Sequence, residues 1–223
     1  LSEAEYLSYF NSNEKIIGTT PQSYTKAHHK DFLNIPEKIF RDTPNVKLIY
    51  IVRDPFVRMK SHILEGLYLA HEKLEYTKNS GHYWKTSLYH YQISQYLNFF
   101  SKEQIHVLTL ESLNNNRLVE MNKIFRFLGV SELKDENLFS FVKNDADSKT
   151  IPVFIKRKIW YRLMKKLSPS VAEQIGKKII DKNHKNTLIK PNYNEIVSKE
   201  IIEEVRLDVL KFQKEFNLDI SEW

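Results

Sequence analysis

With 223 residues, 41% of them hydrophobic and 13% aromatic, the chain has apolar surface enough for a packed core and is no disordered basic tail; its length fits one domain better than two. It has no cysteine, which excludes disulfides, thiolate metal sites and cysteine nucleophiles and leaves the cytosol as the default compartment. Thirty-four Lys and Arg against 28 Asp and Glu give a net charge of +6, which favours anionic ligands, with a lysine-rich solvated surface as the plainer account.

The opening Leu1-Ser2-Glu3-Ala4-Glu5 is acidic and polar, unlike a secretory signal, and without an initiator Met a preceding portion is expected. Residues 1–13 read as a short amphipathic helix with Tyr6, Leu7 and Phe10 on one side. Lys15 to Gly18 is a strand candidate ended by Thr19-Thr20-Pro21. Pro36 opens a short helix, Glu37 to Arg41, closed by Thr43-Pro44. Leu48 to Val52 is a continuous apolar run, the pattern of a strand covered on both faces. A helix follows from Pro55 toward Ala70, and the polar stretch 72–84 reads as a surface loop. Leu88, Tyr89, Ile93, Tyr96, Leu97 and Phe100 recur at helical spacing over 86–100. Ile105 to Leu110 is a further strand. Leu118, Met121, Ile124, Phe125 and Leu128 mark a helix ended by Gly129. The remainder is helical and basic, and the last helix spans about Glu195 to Phe216. Strands alternating with helices predict an α/β fold with a parallel sheet. No apolar run approaches the roughly 20 residues that cross a bilayer.

Chemistry concentrates where the strand Leu48–Val52 meets the next helix. In an open α/β sheet, ligands bind beyond the carboxyl ends of the strands, and Arg53 stands there. Its guanidinium can bind a phosphate through two parallel hydrogen bonds. Asp54 is placed as an N-cap and Pro55 as the first helical residue. Free N–H groups at that helix end are expected to add to an anion site. Ser61 follows two turns later and offers a hydroxyl directed back toward the helix start. The alternative is that Arg53 and Asp54 only cap the helix and pair with each other. The five glycines, Gly18, Gly66, Gly81, Gly129 and Gly176, are too scattered for a dinucleotide fingerprint or a Walker loop.

The sequence here resembles the sulfotransferases that use 3′-phosphoadenosine 5′-phosphosulfate (PAPS), above all the heparan-sulfate-type and bacterial members. Their 3′-phosphate motif is similar to Leu48–Pro55 followed by Arg58 and Ser61-His62. By that resemblance Arg53 and Ser61 grip the 3′-phosphate of the donor, and PAP is the product. The likeness extends to Thr20–Lys26 with Ile35–Ile39, and to Ser87-Leu88-Tyr89 with Tyr91-Gln92 and Tyr96-Leu97. It continues through Gln104–Leu108 with Leu110–Leu113, Phe127–Val130 and the closing Leu218–Trp223. It implies a three-layer P-loop-like fold, with a central parallel sheet flanked by helices and a helical C-terminal part, formed by residues 1–223 as one domain.

Two departures bear on the active site. The family wraps the 5′-phosphosulfate with a lysine and Gly-Thr-Thr. Gly18-Thr19-Thr20 shares those letters, but Ile16-Ile17 stand where the lysine belongs, so the loop is expected upstream of Leu1. Many heparan-type members also carry a lysine at the position of Thr19, near the sulfuryl group. Lys26 is the candidate substitute, and Thr20 a candidate nucleotide contact. Sulfuryl transfer needs in-line oxygens, charge neutralisation and a general base. His28 and His29 are the local candidates for that base, set against their reading as exposed loop histidines. Lys149 or Lys185, in the basic tail from Ser148 to Lys190, is a candidate for the late loop that closes over the nucleotide. No metal is expected, since no Cys ligands exist and His71-Glu72 lacks a second His. A sugar hydroxyl is the first acceptor expected from the resemblance, then a small hydroxylated molecule, and an amine less so. The rival readings are a P-loop-type nucleotide kinase and a non-enzymatic polyanion-binding module. No nucleic-acid motif appears, and the oligomeric state is not legible.

Overall fold

The computed structural model describes residues 13–21, 23–69, 80–139 and 192–223, with residues 8, 163, 164, 166, 168, 170, 171 and 174 besides. The helix expected over 1–13 and the basic tail lie almost wholly outside the described residues, as do Lys149 and Lys185.

In chain order a 3₁₀ turn, Lys30–Phe32, leads into α1 (Ile35–Asp42), β1 (Leu48–Val52), α2 (Pro55–Leu69), α3 (His82–Lys85) and α4 (Tyr89–Leu97). A second 3₁₀ turn, Lys102–Gln104, opens β2 (Ile105–Thr109), α5 (Leu110–Asn115) and α6 (Arg117–Leu128). The 3₁₀ turn Glu136–Phe139, α7 (Tyr193–Ile196) and α8 (Lys199–Phe216) complete the described elements. β1 and β2 pair in a parallel sheet flanked by helices, as the long helical connection between them requires. Among the described residues no helix is long and apolar enough to cross a membrane.

Local chemistry sets the boundaries. Thr43 ends α1, its N–H and hydroxyl both donating to the Ile39 carbonyl, at 2.7 and 3.0 Å, one residue ahead of Pro44. Thr109 closes β2 and caps α5, its hydroxyl accepting the Ser112 N–H at 3.1 Å. Gly129 stops α6 with φ +80°, and its N–H and that of Val130 return to the Phe125 carbonyl at 2.9 and 3.0 Å. That left-handed turn is glycine's ordinary place at a helix end. Ser198 caps α8 through the Ile201 N–H.

Three expectations change. Lys15 to Gly18 is not a strand: the sheet among the described residues pairs β1 with β2 only, so this segment has no ladder to join. Instead Lys15 Nζ donates to the Gly129 carbonyl at 2.8 Å, and Ile16 and Ile17 are exposed. The stretch 72–84 ends in the short helix α3, whose Tyr83 is buried, because Gly81 at φ +67° turns the chain into it. β1 is not covered on both faces: Ile49 and Ile51 are 40% and 49% exposed. An apolar run is compatible with one-sided or two-sided burial, and alternate side chains face opposite ways.

The chain divides into two compact units, Leu1–Ile51 with Tyr91–Lys134, and Val52–His90 with Asp135–Trp223. The first unit buries Ile93, Tyr96, Phe100, Ile105, Leu108 and Ile124. Phe40 packs edge-on to Phe100 with centroids 5.5 Å apart, and Tyr96 donates its hydroxyl to the Tyr24 carbonyl at 2.8 Å. The second unit builds its core from Met59 and Ile63 of α2, Tyr83, Leu88, Ile196, and Val205 and Val209 of α8.

In the first unit His106 stacks on Phe127 with centroids 5.2 Å apart, and its Nε2 is buried with no hydrogen-bond partner among the described residues. Burial holds its pKa below the ordinary 6.5; Glu120 opposes this and Lys123 assists it. The unfolded chain therefore protonates first as pH falls. The stability that neutral His106 contributes is present above about pH 6.5 and is lost on acidification toward the folded-state pKa. Urea denaturation of wild type should weaken more steeply from neutral to mildly acid pH than that of His106→Phe. Parallel profiles would contradict this.

Candidate functional site

The strand-to-helix turn at Val52–Phe56 is held by two features of the second unit. Asp54 caps α2: one carboxylate oxygen accepts the N–H groups of Phe56 at 2.7 Å and Val57 at 3.1 Å. Its carbonyl accepts the Arg58 N–H at 2.9 Å, and Pro55 has no N–H to satisfy. The first-turn donors are thus all accounted for. This overturns the expectation of free N–H groups for an anion: the carboxylate of Asp54 already occupies them and compensates the positive end of the helix.

The second feature is Tyr89, 2% exposed. Its hydroxyl donates to the Arg53 carbonyl at 2.7 Å and accepts the Arg53 N–H at 3.4 Å. One side chain thereby meets both backbone groups of Arg53. Tyr89 is fixed in turn by Phe212 and Trp223, with ring centroids at 5.7 and 6.0 Å. The N–H of the next residue, His90, donates to the buried carboxylate of Asp208 at 2.8 Å, which anchors the start of α4 from α8.

Arg53 is half-buried, and among the described residues its guanidinium takes part in no hydrogen bond or ion pair. The alternative in which Arg53 merely pairs with Asp54 is not what the turn adopts. Ser61 is exposed and lies on α2 opposite Met59 and Ile63, two turns from Asp54 and in line with it. Arg58, one turn before Ser61 on the same side, is half-buried and donates to Ser87 Oγ at 3.2 Å. His62 turns away from Ser61 to pack on His82 and Tyr83, with centroids at 5.1 and 4.7 Å. The turn therefore presents the Arg53 guanidinium, a group suited to a phosphate, on a backbone pinned from behind, with Ser61 exposed two turns along α2.

The remaining described candidates belong to the first unit. Thr20 is exposed. Lys26 is half-buried, and its carbonyl accepts the His29 N–H at 2.9 Å. His29 is engaged locally: its Nδ1 accepts the Asp31 N–H at 3.3 Å, lies 3.6 Å from the Asp31 carboxylate, and its ring packs on Phe32. His28 instead meets the buried amide of Gln92.

Sequence reasoning assigned no role to Tyr89, Asp208, Ser87 or Gln92. Tyr89 and Gln92 lie within the helical pattern of 86–100, but nothing local marks which polar atom of that helix meets which distant backbone group.

The architecture is that of a P-loop-like α/β transferase fold. It superposes on the crystal structure of a sulfotransferase from Alicyclobacillus acidocaldarius with a TM-score of 0.61 and 17% identity, covering 100% of this chain and 74% of that one. At that identity the likeness concerns fold alone. The sulfotransferase domain profile matches residues 8–186, and the chain belongs to that family. Over 111 residues it is 30% identical to human heparan sulfate glucosamine 3-O-sulfotransferase 5, covering 43% of this chain and 32% of that protein. The mouse protein of the same name matches at 29% over 111 residues. The chain thus spans about a third of the length of these curated relatives.

Tyr89→Phe should cost about 0.5–1.5 kcal/mol in stability, plus part of the penalty of leaving the Arg53 carbonyl without its donor. Chemical denaturation measures the loss, and an unchanged midpoint would refute the role given to the hydroxyl.

Proposed function

We propose that the chain binds PAPS and transfers its sulfuryl group to a hydroxyl, on a carbohydrate in the first instance. The observation that carries this reading is the turn at Arg53: a strand end whose guanidinium has no partner among the described residues, a capped helix behind it and Ser61 two turns on. In this reading Arg53 takes two oxygens of the donor's 3′-phosphate and Ser61 donates to a third. The helix terminus already carries the Asp54 carboxylate, so phosphate affinity at this turn rests on side chains. Family membership supports sulfuryl transfer as the chemistry, and the net charge of +6 suits a polyanionic donor and acceptor. The carbohydrate acceptor is supported by the likeness to the heparan sulfate glucosamine 3-O-sulfotransferases.

The rest of the reaction is assigned by the same reading. Donor and acceptor oxygens lie in line, and charge on the sulfuryl oxygens is met by fixed donors. Lys26 supplies positive charge there, with Thr20 and His28 on the same segment. His29 serves its own turn. Lys149 or Lys185 is assigned to closure over the nucleotide. Residues 1–223 act as one sulfotransferase domain in this account.

Calorimetric titration with PAP tests the assignment. Arg53→Ala should lose about 1.5–3 kcal/mol, the contribution of hydrogen bonds from a charged group, or roughly ten- to hundredfold in affinity; Ser61→Ala should lose less. Equal affinity in all three proteins would remove the site. Binding of ATP but not PAP would favour a nucleotide kinase.

A further inference from the structure

Gln92, on α4, is fully buried at 0% exposure. A buried amide next to a group that can only donate has a single workable orientation. The Ala27 N–H is such a group, and it lies 2.8 Å from Gln92 Oε1. With the oxygen fixed there, the amide nitrogen faces His28 Nδ1 at 3.2 Å. An amide nitrogen donates and does not accept, so His28 Nδ1 must be the acceptor. A neutral imidazole that accepts at one nitrogen carries its proton on the other. The mirror arrangement, with the proton on Nδ1, would need the amide turned over. It would then set two N–H groups against each other at Ala27.

We infer that Gln92 is a positioning residue that holds His28 as its Nε2–H tautomer. The Nδ1 lone pair is committed to Gln92, and the ring carries its proton on Nε2. With its Nδ1 lone pair engaged and its proton on Nε2, His28 is not the general base that takes the acceptor's proton. That consequence rests on the sulfuryl-transfer reading, whereas the tautomer rests only on Ala27, His28 and Gln92. It changes the role that the sequence suggests for His28, since a general base would have to act through the occupied nitrogen.

The test is a two-bond proton–nitrogen correlation spectrum of the full chain with ¹⁵N-labelled histidine, at about pH 8, well above the ordinary histidine pKa. His28 is identified by the signal missing in His28→Gln. Wild type should show one tautomer, with the proton on Nε2. Gln92→Glu keeps an acceptor for the Ala27 N–H but presents a second oxygen to the ring, so it should draw the proton to Nδ1. Gln92→Leu, free of a buried charge, should release the ring to exchange between tautomers, and it decides the matter if Gln92→Glu does not fold. A proton on Nδ1 in wild type, or a His28 pattern unchanged by either substitution, would overturn the inference. Failure of the same samples to bind PAP would strike the sulfuryl-transfer reading and leave the tautomer result standing.

Discussion

One hydroxyl, that of Tyr89, holds the backbone of Arg53 in place. β1 ends at Val52 and leaves the N–H and C=O of Arg53 in need of partners, and Tyr89 supplies both from a single oxygen. An aromatic side chain suits this work, because its ring can be buried while its tip bonds. The ring is held by Phe212 and Trp223, and the adjoining helix start by Asp208. The backbone of Arg53 is therefore fixed by parts of the chain far away in sequence. Its guanidinium is needed for none of that.

The same turn separates two tasks that one helix end often combines. Helix N-termini attract anions through unsatisfied N–H groups. Here Asp54 has taken those groups, so the cap stabilises α2 and contributes no donors to a ligand. An anion at this turn must rely on side chains, and in the proposed reading these are Arg53 and Ser61. Such a site should be sensitive to the geometry of the arginine fork, which a lysine does not reproduce. The carboxylate of Asp54 also discourages anions that do not engage that fork.

Much of this was legible locally. Asp54-Pro55 marked the cap and first residue of α2, the apolar run marked β1 to the residue, and Gly129 marked the end of α6. Each is a signal written in adjacent residues, where backbone chemistry leaves few alternatives. Arg53 and Ser61 were singled out as candidates by their place beside those signals. The failures share a different cause. Lys15 to Gly18 has strand-like residues, but a strand exists only with a partner, and partner choice is not a local property. The first-turn N–H groups looked free because a capping residue does not announce how many donors it will satisfy. Tyr89 read as part of a helical stripe and Gln92 as a polar residue beside it, since their polar atoms act on Arg53 and on Ala27 and His28, each more than thirty residues away.

The central claim is that Arg53 recognises a 3′-phosphate and not merely negative charge. It is tested most directly by a thermodynamic cycle that pairs the loss of Arg53 with the loss of that phosphate. Calorimetry would measure PAP and adenosine 5′-phosphate against wild type and Arg53→Ala. The account predicts that wild type prefers PAP and that Arg53→Ala abolishes most of this preference, while affinity for adenosine 5′-phosphate changes little. A preference that survives intact in Arg53→Ala would contradict it, as would an equal loss for both ligands.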